Sequence, residues 1–173
     1  MAALLAAVML AAGVWVPAPR FAQLPSGWTQ LRTPGVLTIH GANASAYALS
    51  WKYRPTWDGW ASHMPRGGIA VTVLLIRREP GSATGANLCR TAPHLPGHPP
   101  RRLPLHLPAT TTATLEGAPG TPEYRVFGRF RDSYAFEVRV DIRDPHPTAA
   151  LLATARRVVA GIVFPLWPSR THC

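Results

Sequence analysis

Asp58, Ser62 and His63 bring a carboxylate, a hydroxyl and an imidazole into one short stretch of this 173-residue chain. These are the three parts of a serine hydrolase: nucleophile, general base and orienting acid. The sequence supplies the side chains without the pattern. It contains no nucleophile elbow, no cysteine with a supporting histidine, no closely spaced carboxylate pair and no phosphate-cradling glycine loop, since Arg66-Gly67-Gly68 precedes a strand rather than a helix. A small secreted hydrolase at Asp58, Ser62 and His63 is therefore the alternative reading, and a non-catalytic protein the preferred one.

Other residues point to binding. Arg101-Arg102 follows a proline-rich stretch and offers adjacent guanidinium groups to an anionic surface. Trp57 and Trp60, close to Trp51 and Tyr53, raise the possibility of an aromatic platform for a sugar ring, as in a carbohydrate-binding module. Their i, i+3 spacing fits core packing on a short helix better. His94, His98 and His106 fall in an extended, proline-rich region that does not gather i and i+4 side chains as a helix would, so no metal site and no cofactor is expected. Cys89 and Cys173 are the only cysteines; in an oxidising compartment they are expected to form a disulfide that ties the C-terminus to the body.

The compartment is suggested by Met1–Pro19, a stretch with no charged residue and rich in Ala, Leu and Val. Residues 1–20 read as a signal peptide or membrane anchor, in the form of an N-terminal hydrophobic helix. Residues 21–33 read as a linker and 34–173 as a single domain. The expected location is extracytoplasmic, either secreted or attached to the membrane through the N-terminal segment. The formal charge is +10, carried by seventeen Arg and one Lys against eight acidic residues. That charge suits an envelope protein or an anionic cell-surface component as partner. No nucleic acid is expected, for no reader motif or dense basic run is present.

The elements that must position these residues read as α+β: an antiparallel sheet of about six strands with two helices packed on it. The first helix is Trp57–Met64, with apolar Trp57, Trp60, Ala61 and Met64 at i, i+3, i+4 and i+7. The second is Thr148–Ala160, with Leu151, Leu152, Ala155, Val158 and Val159 on one stripe. Ile69–Ile76, apolar on both faces, reads as a central strand. Glu123–Arg131 and Tyr134–Arg143 alternate as a hairpin. Charge favours a register with Arg129 opposite Glu137, Arg125 opposite Asp141 and Glu123 opposite Arg143. Sliding the pairing by two residues sets Arg125 against Arg139 and Glu123 against Asp141, and is disfavoured by repulsion.

The segments Thr121-Pro122-Glu123-Tyr124-Arg125-Val126, Val140-Asp141-Ile142, His146-Pro147 and Phe164-Pro165-Leu166-Trp167-Pro168 resemble an uncharacterised group of exported or membrane-anchored proteins from GC-rich bacteria. That resemblance implies a compartment and no activity. The order of sheet and C-terminal helix is also similar to the PsbP/Mog1 type of α/β sandwich, a likeness of fold alone. The functional expectation is a non-catalytic extracytoplasmic binding module.

Overall fold

The structure is a computed structural model that describes residues 14–37, 42–77, 90–103, 105–107, 113–114, 122–130 and 134–168. In chain order its strands are β1 (Val14–Val16), β2 (Arg20–Phe21), β3 (Thr29–Thr33), β4 (Gly35–Leu37), β5 (Ala42–Leu49), β6 (Ile69–Arg77), β7 (His94–Leu95), β8 (Arg101–Arg102) and β9 (Ala113–Thr114). They continue with β10 (Pro122–Phe130), β11 (Ala135–Ile142) and, after helix α1 (Ala149–Ala160), β12 (Ile162–Phe164). The main sheet runs β3-β5-β6-β11-β10-β7, with β9 added on β10; β7 joins parallel and the other pairings are antiparallel. Two small sheets, β1-β4 and β2-β12-β8, complete the architecture.

This corrects the α+β expectation of two helices on an antiparallel sheet. The fold is mostly β, its main sheet is mixed, and one helix, α1, packs on it where two were expected. Trp57–Met64 forms a turn followed by a 3-10 turn at Ala61–His63. Gly59 sits at φ +75°, a left-handed conformation that interrupts a right-handed helix. The Ser62 hydroxyl also bonds back to the Gly59 carbonyl at 3.1 Å, the local competition that makes serine a poor helix interior residue.

The N-terminal helix is corrected in the same way where the chain is described. Val14, Trp15 and Val16 are β-branched and aromatic, the composition of extended chain. They pair with β4, Trp15 opposite Val36. Residues 1–13 lie outside the described residues. Further on, Phe21 pairs with Ile162, and β3 forms an edge of the main sheet, so the stretch read as a linker carries paired strands.

Pleating divides the main sheet into two faces. One carries Ala42, Ala44, Ala46 and Ala48 of β5, Ile69, Val71, Val73 and Leu75 of β6, and Phe136, Val138, Val140 and Ile142 of β11, all buried in one core. Helix α1 covers this face through Ala155, Val158 and Val159 and packs on β6 and β11. The Thr148 hydroxyl caps its first turn by accepting from Leu151 N at 3.3 Å, and Gly161 closes the other end. An aromatic knot of Phe130, Tyr134, Phe136, Phe164 and Trp167 fills the β10–β11 end, with successive ring centroids 4.6–5.6 Å apart. Tyr134 Oη donates to Pro165 O at 2.6 Å, and Trp167 Nε1 donates to Pro17 O at 2.9 Å. The chain entering at β1 and the chain leaving after β12 are thereby joined.

The hairpin adopts the register that charge disfavoured: Arg129 opposite Ala135, Arg125 opposite Arg139 and Glu123 opposite Asp141. The core face decides it. In this register Gly128 lies opposite Phe136, whose ring covers the space a side chain would fill. Such aromatic cover and the burial of a Phe are worth a few kcal/mol, against about 0.2–1 kcal/mol for a cross-strand charge pair. The repulsion is also relieved along and across the strands. Arg125 Nε pairs with Glu123 of its own strand, Arg139 Nε stands 3.3 Å from Asp141 Oδ2 and 3.9 Å from Glu123 Oε2, and Arg125 Nε lies 3.8 Å from Glu137 Oε1.

Candidate functional site

Asp58, Ser62 and His63 do come together on the surface turn after β5, because Gly59 folds the chain back on itself. Ser62 Oγ donates to Asp58 Oδ2 at 2.8 Å, while His63 Nε2 lies 3.2 Å from Asp58 Oδ1 and 3.2 Å from Thr56 Oγ1. Hydrogen bonds from Thr56, then Ser62 and His63, hold the Asp58 carboxyl well below its ordinary range. The chemistry is therefore arranged in the wrong order for a nucleophile. The serine proton points at a weakly basic carboxylate rather than at the imidazole, and all three side chains are exposed. This network fixes a turn. Treatment of the folded protein with a fluorophosphonate probe is expected to leave Ser62 unlabelled; a Ser62 adduct in the intact mass, absent in Ser62→Ala, would reverse this assignment.

The aromatic segment is split. Trp57 is 98% exposed at the turn, whereas Trp60 is half-buried and packs against Tyr47 and Trp51 at ring-centroid distances of 6.5 and 6.3 Å. Their i, i+3 spacing does not place them on one face, because the backbone between them is not helical. Trp60, Trp51, Tyr47 and Met64 instead cover Leu49 and Ala70 on the second face of the sheet.

Arg101 and Arg102 also part company. As neighbours on a strand they point in opposite directions. Arg101 turns into its own loop, where its guanidinium bonds the Pro96 carbonyl. Arg102 is exposed and lines a surface pocket of about 390 Å³ together with Arg157 from the last turn of α1. Ala22–Pro25 and the end of the helix at Val158, Ala160 and Gly161 also line it. Among the described residues, neither Asp nor Glu lines it. Across the small sheet, Arg20 and Arg102 both pair with Val163, so they flank it on one face. The helix C-terminus contributes about half a negative charge, less than the two guanidinium groups that face the same space.

Two other pockets are less suited to an anion. In one, Arg66 and Arg143 share the wall with Asp144, and Arg143 is engaged with the Met64 carbonyl. The other is lined by His94–His98, with neither Arg nor Lys among the described residues of its lining. Among the described residues no three His, Cys, Asp or Glu side chains are grouped to hold a metal ion. No described helix is long and apolar enough to cross a membrane. Cys89 and Cys173 lie outside the described residues.

Sequence reasoning missed Arg157. It belongs to an exposed Arg-Arg pair at the end of an amphipathic helix, ordinarily a solvated position, and only the return of β12 beside β2 and β8 places it next to Arg102. It missed the buried acids too. Glu123 and Asp141 are 1% and 0% exposed on the second face of the sheet, and burial pushes the Asp141 carboxyl up to about 6. Arg139 opposes that shift and Glu123 adds to it.

No family model, no curated protein and no solved structure matches this chain.

Proposed function

We propose that this protein is a non-catalytic, extracytoplasmic binding module that takes an anionic group of an envelope component in the pocket between Arg102 and Arg157. The observation that carries the reading is a concave site with two exposed arginines and, among the described residues, no carboxylate in its lining. Its volume suits a small charged group and part of the molecule that bears it. Guanidinium forks match the planar or tetrahedral oxygens of carboxylate, sulfate and phosphate, and in a recess their attraction is screened less than on an open surface. The +10 net charge would draw such a partner to the protein, while the pocket would give it a defined seat.

Sodium polyphosphate serves as the probe. Arg102→Ala and Arg157→Ala are each expected to weaken its binding about tenfold, the loss of one charge-assisted contact, and added salt to weaken the wild type further. Arg101→Ala, which alters a loop contact, is expected to leave the affinity unchanged. Equal affinity for wild type, Arg102→Ala and Arg157→Ala would sink the pocket as the binding site.

A further inference from the structure

We infer that the outer face of the β1–β4 ribbon, built on Trp15 and Val36, is a contact surface for a lipid bilayer, with the Trp15 indole at headgroup level. The ribbon exposes apolar area by construction. Val16 is fully buried and fixes the pleat, so Trp15, its neighbour on the strand, must point outward. Trp15 is 68% exposed and stands directly opposite Val36, itself 39% exposed, so the two share the outer face, while Val14 alternates to the other face with Val16. Two of the five large apolar side chains most exposed among the described residues thus stand side by side on this one face.

What covers this patch is argued from the chain that leads into it and from charge. Residues 1–13, which run into β1, contain no charged side chain and are almost wholly Ala, Leu, Met and Val. Such a run partitions into lipid, and its covalent junction with Val14 sets the ribbon at the point where that run meets the fold. Tryptophan is the side chain most at home at that boundary, with an apolar body and one N–H to hydrate. The first 57 residues contain no Asp or Glu and carry Arg20, Arg32, Lys52 and Arg54, so the segment that bears the ribbon is suited to an anionic leaflet. The inference is independent of the Arg102–Arg157 pocket.

The test uses the full chain with phosphatidylcholine vesicles, with and without phosphatidylglycerol, containing lipids brominated near the headgroup. Tryptophan quenching is expected in the wild type, stronger with phosphatidylglycerol, and largely lost in Trp15→Phe. Trp57→Phe and the Arg102→Ala/Arg157→Ala double variant are expected to retain it, which separates this surface from the pocket. Trp15→Asp changes an exposed position and is expected to keep the wild-type circular dichroism spectrum, yet it should weaken vesicle partitioning about tenfold or more with residues 1–13 still present. Quenching unchanged in Trp15→Phe, or partitioning unchanged in Trp15→Asp, would overturn the inference by leaving residues 1–13 as the sole lipid contact. Self-association abolished by Trp15→Asp, without quenching by either vesicle, would assign the face to a second copy and overturn it equally.

Discussion

Gly128→Ala is expected to destabilise the protein by about 2–3 kcal/mol, the cost of forcing a methyl group into a filled core. The added Cβ would lie 2.5 and 2.6 Å from Cζ and Cε1 of Phe136 and 3.0 Å from Cδ1 of Leu95. A ring tip can often swing aside, but this one is fully buried and wedged between Phe130 and Phe164, with ring centroids at 5.6 and 4.6 Å. Displacing it disturbs the knot that also holds Tyr134 and Trp167, and through Trp167 the N-terminal chain at Pro17. Urea unfolding measures the loss as a lower midpoint at constant slope. The double-mutant cycle with Phe136→Leu gives the sharper test. The smaller side chain makes room for the methyl group, so the two substitutions together should cost at least 1 kcal/mol less than their sum. Strict additivity would mean that Phe136 does not fill the space over Gly128.

The same glycine explains what was legible in the sequence. Both hairpin strands, the central strand β6 and helix α1 announce themselves through period, because each buries one face or both against a continuous core. Register is decided by a different quantity. Opposing the charges on the second face gave three attractive pairs, but their worth is small and long Arg side chains reach partners diagonally or along their own strand. Arg125 does so toward Glu123 and Glu137, Arg139 toward Asp141 and Glu123. A gap at Gly128 and a ring at Phe136 have no such freedom. The fit of a large side chain over a missing one was present in the sequence and outweighed the charges.

Trp57–Met64 failed for a converse reason. Four apolar residues at helical spacing imitate an amphipathic turn, yet Asp58, Gly59 and Ser62 between them are residues that bond or bend the backbone locally. Met64 alone of the four is fully buried. The candidate pocket was only half legible. Arg102 was singled out, but its partner Arg157 is 55 residues away in sequence and arrives beside it only because β12 pairs with both β2 and β8. Alternation along β8 could have separated Arg101 from Arg102, had that strand been recognised in a proline-rich segment.

Asp141→Asn is expected to make the protein more stable above pH 7, by about 1–3 kcal/mol, and to change little near pH 4. The carboxyl is fully buried opposite Glu123, and its oxygens accept no well-aligned hydrogen bond, although Arg139 stands close. Desolvation outweighs that attraction and raises the group to about 6 from an ordinary 3.8. A carboxyl whose pKa is higher in the folded state holds its proton more tightly there than in the unfolded chain. Folding is thus favoured by this group below about pH 4, loses that contribution as pH rises through 4 to 6, and is insensitive to it beyond. The interval of about two pH units corresponds to at most about 3 kcal/mol. Asparagine keeps the shape and stays neutral throughout, so the difference between variant and wild type isolates Asp141 from the other acids. It should grow between pH 4 and 6 and then level off. Arg139 retains Glu123 Oε2 at 3.9 Å when Asp141 is neutral, which limits the opposing loss. A variant less stable than wild type at pH 7 would mean that the Arg139 pair, rather than burial, governs this carboxylate, and that the like-charged register is held together by its ions as much as by its core.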